Sequence, residues 1–192
     1  MRRLLIGLGL AGLIVSCGAR PMTEPLPSTV SSQVETQSVI NPVVLNERQR
    51  PVQPRLLRLD GMRAPVIPLT LRGSELIPPD DAKVLGWWGK RAGSAHGTTL
   101  LVGHTVHDGG GTFDNLEDVP VGSVAVVSGV RYRVERVHTI RKATLAAHSP
   151  WLFRQRGPHK LVLVTCEGYD PATGHYSSNV VVVARPEVIT TK

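Results

Sequence analysis

The chain has 192 residues, 41% hydrophobic but only 4% aromatic, with 22 Lys and Arg against 15 Asp and Glu for a formal net charge of +7. So basic a chain favours polyanionic surroundings, yet it lacks the basic patches interleaved with stacking aromatics that a nucleic-acid surface uses, which excludes that class of partner. Without a leader and linker, roughly 130–140 residues remain, enough for one domain with its own core.

The first 17 residues form the leader. Arg2-Arg3 precede an apolar stretch from Leu4 to Val15, followed by Ser16-Cys17-Gly18, the layout of a secretory signal. The stretch is shorter than the roughly 20 residues that span a bilayer. Ile14-Val15-Ser16-Cys17 resembles the bacterial lipoprotein box, which implies that Cys17 is lipidated and becomes the mature N-terminus. An uncleaved signal-anchor with an incidental cysteine is the other reading. Either one puts the rest of the chain outside the cytoplasm, held at the membrane. Residues 18–53 are rich in Pro, Ser, Thr and Gln without a sustained period, and read as a disordered tether that cannot bury enough apolar surface to offset its chain entropy.

A single domain is expected over residues 54–188, where short apolar runs alternate with Gly and Pro. Residues 55–59 and 64–69 read as strands, with Pro65 and Pro68 restricting them to edges or strand ends. Residues 95–102, 119–128, 130–140, 160–166 and 179–185 are the strongest strand runs, and Ser128-Gly129 is a hairpin signal between two of them. Helical candidates are few and short: 80–85, 113–116 and 145–153. Many short strands with few helices predict an all-β fold, a closed or nearly closed barrel.

Cysteine usage points to chemistry. With Cys17 lipidated or left in the membrane, Cys166 has no disulfide partner, which is unusual for an exported domain. It ends the run Leu161-Val162-Leu163-Val164-Thr165-Cys166, so it is expected as the last residue of a buried strand, emerging at a sheet edge. A structural cysteine is the competing reading. Only the thiolate attacks a carbonyl, and an ordinary cysteine is mostly protonated at neutral pH, so a nucleophile needs an imidazole within reach. His104, at the end of the apolar run Leu100-Leu101-Val102, is the first candidate. His107 makes a His-x-x-His pair with it, but the flanking Asp108-Gly109-Gly110-Gly111 is a flexible loop with no persuasive third ligand, so no metal or other cofactor is expected. His96, His138, His148, His159 and His175 read as surface or loop residues.

Four blocks in order carry a family resemblance: Gly86-Trp87-Trp88, Leu101-Val102-Gly103-His104, Gly111-Thr112-Phe113-Asp114-Asn115-Leu116 and Leu163-Val164-Thr165-Cys166, followed by the closing run from Gly174 to Ala184. The domain resembles a sortase, one of the cysteine transpeptidases that join proteins to the Gram-positive surface, and is most similar to actinobacterial class E or F. The resemblance implies a sortase-type barrel, Cys166 as nucleophile carrying an acyl thioester, and His104 as proton donor and acceptor. It also implies an LPXTG-like sorting signal as substrate and an amine on a cell-wall precursor or protein as acceptor. A monomer is the default expectation.

One departure stands out. Sortases use an arginine on or just before the final strand to stabilise the oxyanion or hold the substrate, and here the segment reads Ser177-Ser178-Asn179. Arg185 lies six residues on, about 20 Å along a strand. Asn179 is therefore the candidate neutral donor, with Thr165 beside it, and Arg141, Arg154 and Arg156 remain alternatives from the connection before the cysteine strand. A sortase fold that binds such peptides with weak or no catalysis is the alternative function.

Overall fold

The computed structural model describes residues 50–70 and 76–187, and the side chains of residues 146–149 are not among those described. The leader, Cys17 and the tether as far as residue 49 lie outside the described residues. Val52 exchanges both backbone hydrogen bonds with Ala92 at 2.9 Å and packs on the core, so residues just before Pro54 belong to the folded domain.

Eight strands close into one barrel in the order β1-β2-β3-β4-β7-β8-β6-β5. They are β1 (Leu56–Leu59), β2 (Met62–Pro68), β3 (Leu85–Gly89), β4 (Thr98–Val102), β5 (Val124–Val127), β6 (Val130–Arg141), β7 (Lys160–Asp170) and β8 (His175–Pro186), with α1 (Lys142–Leu152) between β6 and β7. The expected all-β closed barrel is therefore the fold. Closure removes every free sheet edge along the paired length, and the prolines of β2 sit where they do least harm: Pro68 ends the strand and Pro65 pairs with the first residue of β1. Asp60-Gly61 and Ser128-Gly129 close two-residue hairpins with positive φ at both positions, the geometry whose twist matches that of the strands it joins.

Two apolar layers result from strand alternation. Leu57, Leu101, Ala125, Tyr132, Leu161, Leu163, Val180 and Val182 fill the barrel. Leu100, Val102, Val162, Val181 and Val183 face outward, where Leu152 of α1 covers them together with Leu69, Leu76 and Trp88. Strands β4, β7 and β8 are thus buried on both faces, which is why their sequences are continuous rather than alternating apolar runs.

Four elements differ from expectation. The expected helix 80–85 is a turn that ends before Leu85: Asp81 accepts from the Lys83 N–H through its side chain at 2.8 Å and from the Val84 N–H through its carbonyl at 3.0 Å, and the chain passes straight into β3, whose glycine-flanked tryptophans gave no strand signal. Residues 113–116 are successive turns whose Phe113 and Leu116 plug the barrel. Of 119–128 only Val124–Val127 is strand, because Pro120 and Gly122 (φ 96°) make a turn ahead of it. Cys166 does not end its strand, since β7 runs on to Asp170.

His159, expected at the surface or in a loop, lies in a loop but is buried. The Tyr132 hydroxyl accepts from the Gly93 N–H at 2.8 Å and sits 3.0 Å from His159 Nε2. Burial lowers the His159 pKa and raises that of Tyr132 to about 12. The folded state therefore binds fewer protons at His159 than the unfolded chain below its ordinary pKa of about 6.5, so stability falls as the pH drops from there. Urea midpoints compared between neutral and mildly acidic pH should fall more for the wild type than for His159→Gln, by up to about 1.4 kcal/mol per pH unit. Identical pH dependence in the two proteins would remove this account.

Candidate active site

The site begins where two parallel strands part. β4 and β7 pair in register from Thr98↔Lys160 to Val102↔Val164, and one further bond, from the Gly103 N–H to the Val164 carbonyl at 3.1 Å, carries the pairing past the end of β4. Parallel strands run in the same direction, so residues two beyond the last pair, His104 and Cys166, emerge at the same end of the barrel. Val102 and Val164 belong to the outward-facing layer, and alternation puts Cys166 on that same face, half-buried with a free thiol. On its other side β7 stays paired with β8 as far as Asp170↔His175. Cys166 is thus firmly held on one side and open on the side that β4 has left.

The residues flanking His104 are fastened to the residue before Cys166. The Thr165 hydroxyl donates to the Gly103 carbonyl at 3.0 Å and lies 2.8 Å from the Thr105 hydroxyl. Gly103 is required by packing, since a Cβ there would run into Leu85 and Phe113. His104 Nε2 lies 2.7 Å from the Pro79 carbonyl. A carbonyl only accepts, so Nε2 carries the hydrogen and Nδ1 is the nitrogen free to take or give a proton. Neither Pro79 nor Thr105 could be picked out from the residues alone, because both act through contacts that only the fold creates.

Asn179 is the direct cross-strand partner of Cys166, and a register pair shares one face. Its Nδ2 donates to the Thr165 carbonyl at 2.9 Å and lies 4.0 Å from Cys166 Sγ, so one amide hydrogen is engaged and the other is directed at the sulfur. Thr165 was expected at the substrate or oxyanion. The residue is only 2% exposed and its hydroxyl is already bonded, which makes it a brace for the Gly103–Thr105 turn. Ser177 instead hydrogen-bonds the Gly168 carbonyl at 3.2 Å.

The arginines separate clearly. The Arg154 carbonyl accepts from Thr98 at 2.9 Å, and Thr98 is the far end of β4, so Arg154 and the neighbouring Arg156 emerge at the opposite end of the barrel. Arg185 is there too, within 3.3 Å of Glu135 and of the His159 carbonyl. Of these four, Arg141 is the one at the Cys166 end, paired with Ser178 and lining a cavity of about 400 Å³ with Ile140 and Trp151. His107 stacks on Tyr169 with centroids 4.0 Å apart, and among the described residues no group of three His, Cys, Asp or Glu side chains is arranged to hold a metal.

Comparison with known proteins identifies the family and the fold. The family model of the Sortase domain matches residues 58–187. The fold is similar to that of the SrtA sortase from Actinomyces oris, at 16% identity and a TM-score of 0.56 over 74% of this chain and 87% of that one. It is also similar to sortase C-1 from Actinomyces oris, at 19% identity and 0.54 over 70% and 73%. The lid mutant of sortase A from Corynebacterium diphtheriae matches at 19% and 0.51 over 74% and 75%. No curated protein matches the sequence. Since the matched domain takes in well over half of the residues, the chain belongs to the sortase family.

Proposed function

We propose that this sortase-family chain is a surface cysteine transpeptidase, closest in type to classes E and F. It would cleave an LPXTG-like sorting signal and join the acyl part to an amine on a cell-wall precursor or protein. The observation that carries the reading is the register of β4 and β7, which brings His104 and Cys166 out at one end of the barrel. Cys166 attacks the scissile carbonyl as a thiolate, and His104, with Nδ1 free, protonates the departing amine. The acyl group then rests on Cys166 as a thioester until an amine takes it. The outward apolar layer beside Cys166, formed by Val102, Val164 and Val181 with Leu76 and Leu152 over it, suits the aliphatic and proline side chains of such a signal.

Asn179 supplies the donor at the position across from Cys166. A neutral amide with one hydrogen already used stabilises an oxyanion less than a guanidinium, because charge-assisted hydrogen bonds are roughly twice as strong. We place the domain outside the cytoplasm as a monomer, tethered through Cys17 or an N-terminal segment. Among the described residues no helix is long and apolar enough to cross a membrane.

Cys166→Ala should abolish cleavage and transfer of sorting-signal peptides and remove labelling by a thiol-reactive substrate analogue, and surviving turnover would end this reading. If the wild type never acylates Cys166, a peptide-binding role replaces it. Asn179→Ala should lower kcat by about 10²-fold if the amide is the oxyanion donor, whereas Asn179→Arg should raise it about tenfold where ~1.4 kcal/mol is recovered. No change in either variant would move the donor to Arg141. Mass spectrometry of the membrane fraction should find a lipid-modified Cys17 at the mature N-terminus, while an intact Met1 would support the signal-anchor.

A further inference from the structure

Charge is divided along the barrel. Strands β4, β6 and β7 run in one direction, since β4 is parallel to β7 while β6 and β7 are both antiparallel to β8. All three start at the end opposite Cys166, and the connections there are basic. Arg55, Lys90, Arg91, Arg131, Arg154 and Arg156 are exposed at that end. Hydrogen bonds fix their places. The Thr98 carbonyl, at the start of β4, accepts from the Lys90 N–H at 2.8 Å, and the Thr98 hydroxyl donates to the Arg154 carbonyl at 2.9 Å. The Arg55 N–H donates to Ser128 of the β5–β6 hairpin at 2.8 Å. Among the described residues the acids at this end are Glu135 and Glu187, and both are taken, Glu135 by Arg185 and Glu187 by Arg131 and Arg133. From Arg131 the row continues through Val126 to Arg58 and Arg63, which stand directly opposite each other on β1 and β2. Like charges in that register cost stability, and among the described residues neither arginine has an acid paired to it.

The end bearing His104 and Cys166 has the reverse sign. Asp108, Asp114 and Glu117 lie on the loop after β4, Glu167 and Asp170 on the last part of β7, and Asp80 beside Pro79. Lys83, Arg141 and Lys142 offset part of this. Ionisable groups at each end register the local field. Partial burial raises the Glu117 pKa, and repulsion from Glu167, Asp118 and Asp114 raises it further. Burial, and after it repulsion from Arg185, Arg154 and Arg136, brings Lys160 down to about 8. From Lys160 to Cys166 the strand rises about 20 Å, whereas exposed charges are screened within about 8 Å. Each end therefore acts on whatever it faces without cancelling the other.

The chain joins the domain at the basic end, where Val52 bridges to Ala92 beside Arg91. We propose that this end is a docking surface for the anionic phospholipid headgroups of the membrane that holds the chain, so that the barrel stands on its basic end with His104 and Cys166 turned away from the bilayer; this rests on the reading of an N-terminal membrane anchor. Each Lys or Arg close to an anionic leaflet adds about fivefold to partitioning. A small anion reaches only a few of these side chains at once, while a headgroup surface meets them together. Repulsion of the acidic end by the same leaflet sets orientation as well as affinity. A wall polyanion offers similar charge, but the membrane is the surface to which this end of the domain is joined.

The test mixes the full chain with phosphatidylcholine vesicles, with or without phosphatidylglycerol, and adds a membrane-impermeant amine-reactive reagent. Exposed Lys90 reports on the basic end, and exposed Lys83 and Lys142 on the other. Phosphatidylglycerol should slow labelling of Lys90 about fivefold and leave Lys83 and Lys142 unchanged, and ~1 M salt should restore the rate at Lys90. Arg91→Glu combined with Arg156→Glu should abolish the protection at an unchanged urea midpoint, since both side chains are exposed. Arg91→Lys combined with Arg156→Lys should keep it, because a headgroup surface reads charge. Equal labelling of Lys90 in the two lipids, or equal slowing at all three lysines, overturns the proposal. So does equal protection of Lys90 on neutral vesicles by soluble polyglycerol phosphate, which makes this end a wall-polymer surface instead. A chain that neutral vesicles fail to retain, but that anionic vesicles capture with Lys90 protected, ends the anchor reading and keeps the docking surface.

Discussion

The parallel pairing of β4 with β7, and its end at Val102↔Val164, is the constraint on which the rest depends. Parallel neighbours need a long crossover and are stable mainly when covered on both faces. The barrel interior covers one face, and α1 with Leu69 and Leu76 covers the other. Once β4 leaves, β7 loses its partner on that side for every residue beyond the Gly103 contact. The same event therefore leaves an unpaired strand edge and brings His104 out at the same end of the barrel. A hydrogen-bonded pair of threonines, Thr105 and Thr165, fixes how sharply the chain turns away.

Much of this was legible in the residues, because each of the two reactive side chains closes an apolar run whose length already marked a buried strand. The Ser128-Gly129 hairpin was legible for a local reason, the need for positive φ. What escaped was whatever required long-range register. The Leu85–Gly89 strand carries two glycines and two tryptophans in five residues, a composition without alternation, and becomes a strand only because β2 and β4 flank it. Residues 113–116 look helical because Phe113 and Leu116 are three apart, yet both serve as plugs. His159 gave no sign of burial, since its partner Tyr132 lies 27 residues away.

Asn179 shows both sides of this. Its identity as the residue standing where an arginine is expected could be read from the chain, but its position could not, as three adjacent polar residues offered themselves. Pairing with Cys166 selects one of them, and the same pairing disposes of Ser177, which sits opposite Gly168 and bonds its carbonyl. The loop arginines are decided similarly. Arg154 and Arg156 follow α1 in sequence and seem near Cys166, yet the chain must travel to the bottom of the barrel before β7 can rise parallel to β4.

The neutral donor has a physical consequence for how the site is divided. An arginine across from Cys166 would stabilise the thiolate, the oxyanion and a substrate carbonyl together through one charge. With an amide there, one of whose hydrogens holds the Thr165 carbonyl, those tasks fall to different groups. Orientation of the imidazole belongs to the Pro79 carbonyl, which leaves Nδ1 as the exchangeable nitrogen. On the proposed reading, no charged donor stands across from Cys166, so stabilising the sulfur and moving the proton between departing and incoming amine both fall to the His104 imidazole. Unlike a charged oxyanion donor, it couples the first half of the reaction to the second.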